Sequence, residues 1–396
     1  MGHAVAGARP GEKQLRVGSA ATGGAIPAEA SGLGHDRTCR GGSAMIRRRH
    51  GSPLQQAGVA VITALLVVTI ATILAVEIAW NTNLDLRRTA GVMAYDQARE
   101  YAHFGESVAI GELERLLQEK QYYDRSTDQQ ARRGLSIAQD DKSLAGGFSD
   151  LQGRFNLNNL VTRQGKPDEL VVKQYRRLIE AVASLNPELQ VGPAEIEIIV
   201  GSTVDWIDPD STADFNGAED DFYTSEAEPY RAANGWFTSV SELRAVRGVT
   251  PEIYEALKPQ LAALPVGSQH TLINFNTASV PVLMSLGDNV SLENASRWQE
   301  DSLKKPVEDV QLVAEGLIDP AMVPYIGYTS SYFEVTGFVS IGSNRLDMYS
   351  LLEWNGQVAS VRLRRFGVVE TSGQEDPALE ISGDATGEFS VGQQRE

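Results

Sequence analysis

Hydrophobic and polar positions fall into three regimes along this chain. The first is an unbroken apolar run, Val59 to Val76, eighteen residues without a charge and with only Thr63, Thr69 and Thr72 polar. As a helix rising about 1.5 Å per residue, it nearly crosses a bilayer core. Arg47, Arg48 and Arg49 precede it, and the next charge downstream is Glu77. That basic flank predicts a cytoplasmic N-terminal side, with everything after Trp80 delivered across the membrane. The run exceeds the roughly 7–15 apolar residues of a cleaved secretory signal and lacks a small-x-small site before Trp80. It reads as a retained anchor.

The second regime is spaced. Leu84, Ala94, Ala98, Tyr101, Ala102, Val108, Leu113, Leu116 and Leu117 form an irregular apolar stripe among charges, with no proline from Val59 to Lys120. One long helix is expected, apolar in its first half and amphipathic in its second. Residues 121–146 are polar and read as a connecting loop. Phe148 and Leu151 before Gln152-Gly153, with Phe155 and Leu157 after, predict a short hairpin over 146–160. Helices are expected over 167–184 and from Gly192-Pro193 to Asp208, proline suiting a first helical turn. A helical hairpin turns at Arg247-Gly248-Val249. Related patterns recur over 272–286 and 307–326, the latter broken at Ile318-Asp319-Pro320.

The third regime alternates. Residues 331–340, 345–353 and 358–366 are rich in Tyr, Phe and Val, and the last two flank Asn355-Gly356, a strong hairpin signal. Residues 371–396 are Gly-, Ser- and acid-rich and are expected to be disordered. The order predicts an α+β fold. The short hairpin and the final strands share an antiparallel sheet against the long helix, and a helical block is inserted between them.

Charge narrows the function. The net charge is 35 − 52 = −17; residues 1–58 hold eight Lys/Arg and three Asp/Glu, so the rest carries 27 − 49 = −22. Such a body lacks the cations that neutralise phosphates, which argues against nucleic acid. The hairpin around Arg247 has a helix-hairpin-helix look, and on the same ground reads as a packing unit. Cys39 is the only cysteine and precedes Met45. Residues 1–44 read as an over-long start assignment, with Met45 the working start. Beyond Gly58 the only histidines are His103 and His270, too few for a zinc cluster and a poor supply for a Ser-His-Asp triad. No Walker loop or paired-His motif is present.

The chemistry is concentrated in one loop. Asp208, Asp210, Asp214, Glu219, Asp220 and Asp221 fall within fourteen residues, with Asn216-Gly217 offering a turn. Six carboxylates this close repel unless solvated or paired. Hard oxygen donors suit calcium, which takes about 6–8 oxygens in flexible geometry. The spacing is not that of an EF-hand, so composition leaves a solvated acidic loop equally open.

Two stretches carry a family resemblance. MIRRRHGSPLQQAG, Met45 to Gly58, abuts the apolar run and resembles the leader of a type IV prepilin, cut after its glycine. That implies cleavage after Gly58 by a prepilin peptidase and methylation of Val59. The fifth mature residue of such proteins is usually glutamate; here it is Thr63. Among the minor pseudopilins of type II secretion, the protein K family shows this departure. The acidic stretch adds to the resemblance: Asp208-Pro209-Asp210, Gly217 to Tyr223, Pro229 to Asn234 and Ser241 to Arg244 are close to that family's pattern.

The resemblance, from Met45 to about Phe366, implies a pilin-like long N-terminal helix, transmembrane in its first half, packed on an antiparallel sheet, with a large inserted all-helical domain. The expected divisions are a leader and extension over 1–58, a transmembrane helix over 59–80, and an amphipathic helix with first hairpin over 81–160. An inserted helical domain over 161–328, C-terminal strands over 329–370 and an acidic tail over 371–396 follow. The resemblance further implies an inner-membrane protein with a periplasmic body, placed at a pseudopilus tip. Its implied partners are minor pseudopilins I and J, the prepilin peptidase and the inner-membrane assembly platform. It also implies structural calcium, held by Asp210, Glu219, Asp220 and Asp221 with Asp208 and Asp214 in reserve, and no catalysis. A tethered periplasmic calcium-dependent hydrolase remains an alternative. A type IV minor pilin is a weaker one, disfavoured by the insertion and by Thr63.

Overall fold

The computed structural model describes residues 54–120, 123–267, 270–310 and 316–367. The expected leader and N-terminal extension up to residue 53, and the acidic tail, lie outside the described residues.

Helix α1 covers Leu54–Glu119. Its Val59–Val76 stretch is exposed and long and apolar enough to cross a membrane. Thr63 is satisfied within the helix: its hydroxyl donates to the carbonyls of Val59 (3.1 Å) and Ala60 (3.0 Å).

The stretch expected to be a loop, 121–146, instead holds helix α2 (Arg125–Arg133), strand β1 (Leu135–Gln139) and the start of strand β2 (Lys142–Asp150). The helix hid because it has one apolar residue, Ala131, and is built by polar contacts. Asp124 caps it, accepting from Thr127 N at 2.7 Å, and Arg132 Nε donates to Asp128 Oδ2 at 2.6 Å. Gly134 turns α2 into β1 with φ 52°, where a Cβ would sit 1.9 Å from the Gly146 carbonyl oxygen.

The expected hairpin over 146–160 does not form. Asp150 accepts from the backbone N–H groups of Gln152 (2.8 Å) and Gly153 (2.9 Å) and from the Thr277 hydroxyl. The turn is there, but it sends the chain out of the sheet. Phe155–Asn156 (β3) then pairs in parallel with Leu261–Ala262 (β4). Gln152 ties the exit to the return point, accepting from Ser331 N at 2.5 Å and Tyr332 N at 3.2 Å.

Between exit and return lies the helix-rich insertion. It contains α3 (Glu169–Leu185), α4 (Pro193–Ile207), α5 (Asp220–Tyr223) and α6 (Pro251–Leu257). After β4 come Ile273–Asn274 (β5), α7 (Val280–Met284), α8 (Leu292–Lys304) and Ile326–Gly327 (β6), which pairs in parallel with β5. The two short parallel ladders qualify the all-helical expectation. Helix α8 fell between two recognised patterns because it is mostly polar, although Trp298 is fully buried from it. The first half of the expected helical hairpin is a 3-10 turn, Val240–Ala245, closed by a capping box of Ser239 and Glu242. The insertion has its own core, in which Phe155 stacks on Tyr175 at 5.2 Å among Leu178, Ile199, Phe275 and Trp298.

Strands β7 (Tyr332–Ile341), β8 (Asn344–Trp354) and β9 (Ala359–Phe366) complete an antiparallel sheet of order β1-β2-β7-β8-β9. The β8–β9 turn is the one expected: Asn355 accepts from Gln357 N and Val358 N. The fold is thus a long helix on an antiparallel sheet, with a helix-rich insertion leaving between two neighbouring strands. One sheet face packs Phe148, Phe333, Val335, Met348 and Leu352 against Ala98, Ala102 and Leu113 of α1. Leu351 on the other face packs with Leu151, Ala262 and Leu264.

Candidate functional site

Helix α4 sets the site. Its core-facing side carries Ile196, Ile199, Val200 and Val204; Asp205, fully buried, lies on the far side with Gly201, under the 215–217 backbone, and Asp208, 4% exposed, stands at the helix end. Pro209 follows, and a proline's predecessor is biased to extended backbone; Asp208 sits at φ −69°, ψ 156° and closes the helix with its N–H on the Val204 carbonyl.

The chain then loops back over α4. Asp210 accepts from Thr212 N at 2.8 Å, and Asn234 Nδ2 donates to the Asp210 carbonyl at 2.6 Å. The Asp214 N–H points at both Asp205 oxygens, 3.3 Å each, and Gly217 N donates back to the Asp214 carbonyl at 2.9 Å. A Cβ at Gly217 would lie 1.9 Å from Asp205 Oδ2, so a larger residue there would displace that carboxylate. Glu219, 4% exposed, then holds the N-cap position of α5 without a capping bond from its side chain.

Two overlapping groups of carboxylate oxygens result, each within 4.8 Å: Asp205, Asp208 and Asp214, and Asp208, Asp210 and Glu219. Asp208 joins them. Burial pushes Asp205 up to about 7, helped by the charges of Asp208 and Asp214. Burial likewise raises Asp208 to about 6, with Asp210 adding, and Glu219 to about 7, with Asp205, Asp208 and Asp210 adding. Asp208 Oδ1 and both Glu219 oxygens are buried with no hydrogen-bond partner. Orphaned buried acceptors cost free energy, and hard oxygen donors converging in this way fit a calcium-like cation.

Of the residues expected from sequence, Asp208, Asp210, Asp214 and Glu219 come together. Asp220 and Asp221 lie outside both groups. Asp220 accepts from Ala232 N at 3.0 Å and pairs with Arg231 at 3.5 Å, while Asp221 is exposed. Asp205 was missed. It stands in a helix rather than the loop, and the available signal was a charged residue in the apolar run IIVGSTVDWI. Gly58 and Val59 lie on α1.

Comparison with known proteins agrees with this architecture. The family model described as type II secretion system (T2SS), protein K matches residues 153–266. Type II secretion system protein K of Aeromonas hydrophila is 32% identical over 329 residues, 78% of this chain and 97% of that protein. The protein of the same name from Pseudomonas aeruginosa is 34% identical over 320 residues, 78% of this chain and 91% of that one. The chain belongs to the type II secretion system protein K family. A solved structure agrees: a chain of the GspK-GspI-GspJ complex from enterotoxigenic Escherichia coli matches with TM-score 0.57 and 26% identity, covering 71% of this chain and all of that one. The protein K fold accounts for the pilin-like helix and sheet and makes this chain a pseudopilin of protein transport.

Proposed function

We propose that this protein K family member is the minor pseudopilin at the tip of a type II secretion pseudopilus. The match to a chain of a solved complex with GspI and GspJ, complete over that chain, supports the reading most directly. Its α1 anchors it in the inner membrane, with the C-terminal body periplasmic, and keeps it there before assembly, since a prepilin peptidase cutting after Gly58 leaves the apolar helix attached with a methylated Val59 at its start. The assembly platform then moves it, with pseudopilins I and J, into a filament cap. Thr63 suits that place. A carboxylate in lipid is costly without a cation, and a capping subunit has no neighbour above to supply one. The insertion between β2 and β7 gives the bulk that stops a further subunit from adding, so the work is assembly rather than catalysis.

Calcium belongs to this reading as a structural ion. Asp205, Asp208, Asp210, Asp214 and Glu219 would hold it, and it would supply positive charge to the buried, unpartnered carboxylates. Deleting the gene should abolish export of the system's folded substrates, with the chain itself restoring it. Undiminished export in a strain without a paralogue would overturn the proposal.

A further inference from the structure

The acidic site is clasped from outside by one cation that touches none of its carboxylates. Arg247 leaves the tight turn after the Val240–Ala245 segment, and its Nη1 donates to the Gly217 carbonyl at 3.0 Å. Its guanidinium lies over the Phe222 ring, 4.7 Å from the centroid. Its backbone N–H reaches the Tyr223 hydroxyl oxygen at 3.3 Å. It therefore grips both sides of Glu219: the backbone two residues before it and the rings three and four residues after it.

The grip has a firm base. Tyr223 packs edge-on against Trp206 at 5.4 Å and lies 5.1 Å from Tyr230, whose hydroxyl donates to the Ala245 carbonyl at 2.8 Å. Trp206 stands between Asp205 and the helix end at Asp208. The turn bearing Arg247 and the helix bearing two of the carboxylates thus share one aromatic wedge.

We infer that Arg247 is a positioning residue for the cation site, holding the 214–219 backbone so that Glu219 and Asp214 face Asp205 and Asp208 before the ion arrives. This rests on reading the acidic cluster as a cation site. Two physical effects of Arg247 on a bound cation have opposite signs, and that makes the inference decidable. As a nearby positive charge it repels the ion, so its removal alone would tighten binding. As a clasp it lowers the ordering cost of the loop, so its removal weakens binding, since preorganisation contributes affinity by cutting that cost. A lysine keeps the charge but loses the planar fork and stacked face.

The test is calcium titration by calorimetry on the full chain in detergent, comparing wild type with R247A, R247K and R247Q. The clasp predicts that all three bind calcium more weakly, by roughly tenfold for R247A, about the worth of one charge-assisted hydrogen bond expressed in binding. A charge effect predicts instead tighter binding by R247A and R247Q and no change in R247K, and that pattern overturns the inference. Equal affinity in all four proteins overturns it too. Leu352→Ala, in the separate sheet core, controls for general destabilisation. It should lower the melting temperature without changing calcium affinity, and a matching loss of affinity there would make Arg247 merely structural. If wild type takes up no calcium, it is the cation reading of the acidic site that fails.

Discussion

Arg364 on the edge strand β9 closes on both carboxylate oxygens of Glu106 on α1, Nε at 3.0 Å and Nη2 at 2.5 Å. Glu106 is 3% exposed and also accepts from the Ser350 hydroxyl of β8. The helix and the last two strands are therefore joined by a charge-assisted clamp set among Ala98, Ala102 and Leu352. Such a bond is directional in a way that apolar contacts are not, and it fixes the helix lengthwise on the sheet.

Breaking that clamp should destabilise the body. Glu106→Ala leaves Arg364 unpaired and should cost about 2–3 kcal/mol, the low end for a buried pair because Arg364 is itself partly exposed. Burial pushes the Glu106 carboxyl up, but Arg364 and Ser350 outweigh it and hold it below the ordinary glutamate value. A lowered carboxylate stabilises the fold above its unfolded pKa and loses that contribution as pH falls through the lowered one. Thermal unfolding across the acid range should show the loss in wild type and a flatter profile in Glu106→Gln. Parallel profiles would remove the clamp from the account.

The acidic site should show the opposite sign. Asp205, Asp208 and Glu219 are raised to about 7, 6 and 7. Their stabilising contribution is full below the unfolded carboxylate values and is lost as pH rises through the raised ones. In chelator the melting temperature should therefore fall between about pH 4 and 7. Calcium should reverse the fall, because a ligand bound only to the native state stabilises it by mass action. Differential scanning fluorimetry with and without chelator reads both. No calcium effect at pH 7 would sink the calcium proposal.

Gly217 tests the geometry of that site without replacing a carboxylate. Gly217→Ala puts a methyl group into Asp205 Oδ2. It should abolish the calcium-dependent rise in melting temperature while shifting the chelated protein far less. An unchanged calcium response would mean that Asp205 takes no part.

His270, one of the two histidines after the leader, has a structural explanation. Asp168 caps α3 with Oδ1, accepting from Leu170 N and Val171 N at 3.1 and 3.2 Å. Its Oδ2 meets His270 Nε2 at 2.7 Å and the Tyr325 hydroxyl at 3.1 Å. One carboxylate therefore ties a helix start to the remote loop of His270 and to the 3-10 turn Pro320–Tyr325. Asp168→Ala should cost about 1–2 kcal/mol by loss of the cap and its partners. Asp168→Asn should recover part of that in chemical denaturation, and equal losses for the two would reassign the effect to charge.

Much of the fold was legible because it is written in apolar spacing. The Val59–Val76 run, the stripe through Leu113 and Leu117, and the alternating strands before Phe366 each declare themselves by period. What stayed hidden is built from polar contacts. Helix α2 rests on Asp124 and Asp128, and the exit from β2 rests on Asp150 and Gln152, so neither leaves a hydrophobic signature. The acidic site was half visible for the same reason. Its loop stands out by composition, but Asp205 contributes from a helix face, and only the folding of 214–217 over α4 brings it among the others.

A chain that caps a pseudopilus, as proposed, has to bind two minor pseudopilins at once. The most direct test is to co-express the full chain with pseudopilins I and J of its own system, extract the membranes in detergent and measure the mass of the purified assembly. One complex containing all three in equal copies is the expected result. A chain that elutes by itself while I and J pair with each other would contradict it.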